Sequence, residues 1–107
     1  MQVIFDQGTP IPLRNALPLH VVETAYERGW QCLTNGELLE AAEAAGFELL
    51  VTTDQSLRYQ QNLTKRRIRI PVLKTASWPK IEKHTEMVVR IIDDLAVGEY
   101  REISFPS

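Results

Sequence analysis

Asp6 directly follows the apolar run Val3-Ile4-Phe5, and Asp54 directly follows Glu-Leu-Leu-Val-Thr-Thr at positions 48–53. If those runs are neighbouring parallel strands, both carboxylates emerge on one rim and come within reach of one cation. Hard divalent ions such as Mg²⁺ or Mn²⁺ take oxygen ligands and keep several waters. Such an ion activates water and stabilises phosphoryl charge in phosphodiester cleavage. Glu37 is a third candidate, placed to reach the same rim from the first turn of a helix. Each acid also has a structural reading. Asp54 before Gln-Ser-Leu-Arg fits a helix N-cap, worth about 1 kcal/mol. Thr34-x-x-Glu37 fits a capping box, in which the Glu returns to the backbone N–H of the cap. Glu40 and Glu43 read as solvated helix surface.

A second constellation is basic. The net charge is only −2, but residues 1–54 hold eight acids against Arg14 and Arg28, and residues 55–81 hold seven bases and no acid. An acidic block therefore stands beside a basic one. Arg58, Lys65, Arg66, Arg67 and Arg69 are suited to phosphates, and Tyr59 to stacking on an unpaired base. The alternative is a solvated basic loop with a packed Tyr59. Trp30 and Trp78 read as packing residues, and His20 and His84 form no catalytic constellation.

The elements that would position these groups alternate. Gln2–Phe5 reads as a strand, and Thr9-Pro10 opens a short helix that Pro18 stops, with Thr9 as its cap. Leu19–Thr24 reads as a second strand around Val21-Val22. A helix from Thr34 ends at Gly46, and Glu48–Thr53 is a strand of the kind buried on both faces. Gln55–Leu63 is expected to be helical, Ile68–Leu73 a strand, Pro79–Val97 the longest helix and Glu99–Phe105 an edge strand. Such alternation implies a mostly parallel sheet with right-handed crossovers and helices on both faces. Ligands bind outside the carboxyl ends of such strands.

The length of 107 residues and 44 % hydrophobic content suit a single domain spanning 1–107 with its own core. Cys32, the one cysteine, can form no internal disulfide and reads as a small core filler. The N-terminus carries no charged n-region and no stretch approaches a membrane span. A cytoplasmic protein without a membrane partner is expected, in which the Asn62-Leu63-Thr64 sequon is silent.

Val3-Ile4-Phe5-Asp6-Gln7, Asn35-Gly36-Glu37-Leu38-Leu39 and Leu50-Val51-Thr52-Thr53-Asp54-Gln55 together resemble bacterial PIN-like domains, compact relatives of the VapC-type toxin ribonucleases. The resemblance covers about residues 2–75 and rests most on the Leu-Val-Thr-x-Asp element. It implies a three-layer α/β/α sandwich around a mostly parallel sheet of four to five strands. It also implies an acid cluster for Mg²⁺ or Mn²⁺, with Asp6, Glu37 and Asp54 as the metal-holding and catalytic positions. RNA is the implied substrate, an antitoxin protein the implied partner, and a homodimer the implied association state. A further acid often follows the third in this family. Residues 55–81 contain none, and Gln55 and Asn62 offer only neutral oxygens. That departure favours a second reading, a non-catalytic PIN-like module binding RNA or protein. A third is a receiver-like phosphoacceptor, since Asp6 and Asp54 also suit the first and third strands of that fold. No Lys follows Lys83 to complete it.

Overall fold

A computed structural model describes residues 1–60 and 62–106. Its frame is β1 (Gln2–Phe5), a 3-10 helix (Ile11–Ala16), β2 (Val21–Thr24), α1 (Asn35–Ala44), β3 (Leu49–Val51), α2 (Leu57–Gln60), β4 (Ile70–Leu73), α3 (Trp78–Glu82), α4 (Thr85–Asp94) and β5 (Tyr100–Ile103). β1 lies between β2 and β3, pairing parallel with both, and β4 pairs parallel with β5.

Pro71 explains why the strands fall into a three-stranded and a two-stranded sheet. β3 and β4 touch through parallel bridges at Leu49–Arg69 and Thr52–Val72. The Leu50 N–H donates to the Arg69 carbonyl at 2.9 Å, and the Leu73 N–H to the Thr52 carbonyl at 2.8 Å. The same register calls for an N–H at position 71 to meet the Leu50 carbonyl. Proline has none to give, so the ladder is interrupted there.

The two-residue period of the strands sorts their side chains to opposite faces. Val3, Phe5, Val51, Leu73 and Ile103 pack with Leu13 of the 3-10 helix, Ile81 of α3, and Val88 and Ile92 of α4. Ile4, Leu50, Ile70 and Val72 pack with Leu38, Leu39 and Ala42 of α1 and Leu57 of α2. Helices thus cover both faces. Thr34 and Glu37 form the expected capping box at the start of α1. Gly46 follows its end at φ +86°, a conformation that disfavours side chains with a Cβ.

Several elements depart from expectation. Pro10 and Pro12 leave a 3-10 helix whose N-cap position is Pro10, with no side-chain cap bond. Thr9 is used elsewhere, as shown below. The Pro79–Val97 helix is two helices, α3 and α4, with His84 at the N-cap position of the second. Between Ile81 and Val88 no residue is fully buried, and Met87 packs on the core half-buried, so the joint between the two helices is held less firmly than either helix. Of the expected Gln55–Leu63 helix, the described residues show Leu57–Gln60, and Gln61 lies outside them. One turn does not sustain itself. Burial of Leu57, worth about 2 kcal/mol for a leucine, holds it. Strands expected over Leu19–Thr24, Glu48–Thr53, Ile68–Leu73 and Glu99–Phe105 are shorter at their ends. Cys32 is exposed rather than core. Among the described residues no helix is long and apolar enough to cross a membrane.

Candidate functional site

Because β1 and β3 run parallel with Phe5 opposite Val51, their last residues deliver Asp6 and Thr52 side by side. The Asp6 N–H donates to the Val51 carbonyl at 3.1 Å, extending the ladder to the rim. Asp6 is 6 % exposed. Its Oδ1 accepts from the Thr9 N–H at 3.0 Å and lies 2.7 Å from the Thr9 hydroxyl. That hydroxyl is also 3.0 Å from the Val51 carbonyl. With one proton it donates to one of the two at a time. Thr9, expected to cap a helix, instead closes the turn around a buried carboxylate, which is the stronger demand.

Thr52 joins the two aspartates. Its hydroxyl donates to Asp6 Oδ2 at 2.5 Å and accepts from the Asp54 N–H at 3.0 Å. Thr52 is itself 1 % exposed, so both partners are fixed from inside the protein. Asp54 Oδ1 accepts from the Ser56 N–H at 2.9 Å and from its hydroxyl at 2.6 Å. Asp54 Oδ2 accepts from the Asn35 side-chain amide at 2.7 Å. Burial pushes the Asp54 carboxyl up, but the Ser56 hydroxyl, the Ser56 N–H and the Asn35 amide together hold it below the usual range. Asp54 therefore does start a turn, as the capping alternative required, while keeping one oxygen turned toward α1.

Gly8 completes the rim by absence of a side chain. A Cβ there would lie 2.3 Å from the Thr53 hydroxyl and 3.8 Å from Asp6 Oδ1. A cavity of about 290 Å³ opens over these groups, lined by Asp6, Gly8, Asn35, Thr53, Asp54 and Trp30 among others.

Of the three expected acids, Asp6 and Asp54 meet at this cavity. Glu37 lies outside its lining. Glu37 Oε1 accepts from the Thr34 N–H at 2.9 Å, and the Glu37 N–H donates to the Thr34 hydroxyl at 3.2 Å. The Thr34 N–H is the main cause holding the Glu37 carboxyl below its ordinary range. Asn35, two residues earlier, is the α1 side chain that reaches Asp54. Among the described residues no group of three His, Cys, Asp or Glu side chains is assembled that could hold a metal ion.

The basic residues divide. Arg66 is engaged by two acids of α1, Glu43 and Glu40, the latter at 2.8 Å. Its side chain is only 19 % exposed, so a phosphate would have to displace both carboxylates. Arg67 lines a cavity with Glu48, Ile68 and Arg69, next to the residues that enter β3 and β4, and so at the sheet's amino ends. Arg69 donates to the Leu95 carbonyl at 3.1 Å. Lys65 is exposed. The Arg58 guanidinium lies 4.7 Å over the Tyr59 ring, itself 74 % exposed, in the turn that follows Asp54. Gln55 donates to the Lys74 carbonyl at 3.4 Å, and Asn62 accepts from Thr64 at 2.7 Å.

Thr9, Asn35, Thr52 and Ser56, the groups that hold the two aspartates, were not foreseen as site residues. Thr9, Thr52 and Ser56 stand among short polar residues at or just past the ends of β1 and β3, whereas Asn35 opens α1 and has no such mark in the sequence. Comparison with protein-family models, curated proteins and solved structures found no match.

Proposed function

We propose that the protein is a Mg²⁺- or Mn²⁺-dependent ribonuclease of the PIN-like type, built as an α/β/α sandwich, with Asp6 and Asp54 as its metal-holding pair. The observation that supports this reading is the connection Asp6–Thr52–Asp54 at the carboxyl rim. One buried hydroxyl sets the position of one carboxylate and of the other's backbone. The donor set suits such an ion. Asp6 Oδ2 and Asp54 Oδ2 each accept one hydrogen bond, which leaves each a lone pair. Oxygen donors beside an open cavity suit Mg²⁺, which binds through one or two carboxylates and retains waters. A bound divalent cation would supply an activated water and charge neutralisation at phosphorus.

The chain's own residues do the remaining work. Thr9 and Thr52 fix Asp6, and Asn35 and Ser56 keep Asp54 ionised and oriented. Arg58 and Tyr59, in the turn that follows Asp54, would contact the RNA strand beyond the scissile group. Glu37 enters this reading only if it leaves its Thr34 cap. A toxin role with an antitoxin partner, and a homodimer, are the settings this reading implies. The test is RNA degradation by the purified protein with Mg²⁺ or Mn²⁺, absent in chelator and abolished in Asp6→Asn and Asp54→Asn. Cleavage that persists undiminished in both variants refutes it.

The engagement of Glu37 in the capping box favours a second reading, a non-catalytic PIN-like module. Salt-sensitive RNA binding with no cleavage at any metal concentration selects it.

A further inference from the structure

We infer that the rim cavity is a pocket for one unpaired nucleobase, with the Trp30 indole as its stacking platform. The inference rests on the RNA-directed reading above for its choice of ligand, and it is tested without reference to cleavage.

Trp30 is brought to the rim by a loop folded back on itself. Its N–H donates to the Ala25 carbonyl at 2.8 Å, and its carbonyl accepts from the Leu33 N–H at 3.0 Å. Gln7, one residue past Asp6, donates through its side-chain amide to the Gln31 carbonyl at 3.1 Å. That bond ties the Trp30 loop to the Asp6–Thr9 turn. The ring has two neighbours of its own. Phe47 meets it edge-on at 6.1 Å and 75°, and the Arg28 guanidinium lies 5.3 Å from its centre. A tryptophan serving the core alone would be enclosed by apolar groups. This one packs at the margin of the α1-side core while also lining a cavity with Asp6, Asp54, Gln7 and Gln31.

The chemistry selects the ligand. An indole face takes any base, and side-chain amides both donate and accept toward a base edge. At about 290 Å³ the cavity sits at the lower end of small-ligand sites, roughly 300–1,000 Å³. That is room for a single nucleotide, not for a duplex. Bases within a duplex are stacked on their neighbours, so the pocket requires a single strand or a loop.

The two tryptophans provide the test, because Trp78 packs against the opposite face of the sheet. The full chain is titrated in chelator with short single-stranded oligoadenylate. In Trp78→Phe, where Trp30 is the sole tryptophan, fluorescence is expected to fall on saturation. In Trp30→Phe, where Trp78 is the reporter, it is expected to stay constant while a labelled oligonucleotide still binds. Trp30→Ala should weaken that binding by roughly five- to 150-fold, the range of one lost base stack. A duplex of equal length should leave Trp30 emission unchanged. Unchanged binding by a folded Trp30→Ala, or no response of Trp30 to the single strand, overturns the inference. Should Trp30→Ala fail to fold, the Trp78→Phe titration decides alone. Cleavage of RNA with Trp30 unresponsive would overturn the pocket and leave the nuclease reading standing. A responsive Trp30 without any cleavage would do the reverse.

Discussion

Replacing Thr52 by valine removes one hydroxyl and little volume, and takes a hydrogen-bond partner from each aspartate. Asp6 Oδ2 loses its donor at 2.5 Å, and the Asp54 N–H loses its acceptor at 3.0 Å. A hydrogen bond to a charged group contributes roughly 1.5–3 kcal/mol, and an orphaned buried polar group costs about 1–3 kcal/mol. Asp54 is only half-buried, so water replaces part of its lost partner, whereas Asp6 is almost closed to solvent. The two losses share one hydroxyl and are not added in full; about 2–4 kcal/mol is expected. Against a total of about 5–15 kcal/mol for a domain, that is a large fraction. Thermal unfolding should show a midpoint lower by about 10 °C or more, from roughly 4–8 °C per kcal/mol near the midpoint for a domain of about this size. Thr52→Ser keeps the hydroxyl and should recover most of the loss. If Thr52→Val unfolds within about 0.5 kcal/mol of the parent, as neutral surface changes do, the hydroxyl does not hold the pair and the site geometry is wrong.

Other perturbations follow from the same contacts. Asn35→Ala and Ser56→Ala should each raise the Asp54 titration toward the ordinary Asp value, read by carboxyl-detected NMR. The depressed Asp54 carboxyl contributes stability that is complete above its unfolded value and lost as pH falls through its lower folded value. Both variants should therefore lose stability relative to the parent near neutral pH and converge with it in strong acid. Gly8→Ala should destabilise by about 1 kcal/mol through its clash with the Thr53 hydroxyl, and Thr53→Ala should relieve it. A double-mutant cycle checks this, with a coupling of at least about 0.5 kcal/mol expected. Glu37→Gln should leave stability nearly unchanged, because Gln also completes a capping box, whereas Glu37→Ala should lower it measurably. RNA cleavage that survives Glu37→Gln would keep Glu37 a cap, and cleavage abolished by it would make Glu37 a metal ligand.

Asp6 and Asp54 were legible because a carboxylate that ends a continuous apolar run has one place to go in a parallel sheet. The capping box was legible for a similar reason, since its partners are three residues apart. What lay beyond the sequence depends on contacts between distant segments. Arg66 meets Glu43 and Glu40 across separations of 23 and 26 residues, and that pairing, not its basic neighbours, decides what it is free to bind. Trp30 read as a packing residue, yet it both packs on Phe47 and lines the cavity. A composition signal cannot separate those roles. The division of Pro79–Val97 into two helices was masked by apolar spacing at Ile81 and Val88 that either arrangement satisfies. Asn35 carries no charge to mark it, and only the distance across α1 and the Asp54 turn shows that it, and not Glu37, reaches the aspartate.

The central claim is that Asp6 and Asp54 act on one hard cation. Mn²⁺ titration followed at the carboxylate carbons of both residues tests it most directly. Asp6 and Asp54 should broaden together at the same low Mn²⁺ ratio, Mg²⁺ should reverse both, and Glu48, at the sheet's amino ends, should respond last. Broadening of one aspartate without the other, or of neither before surface carboxylates respond, contradicts it.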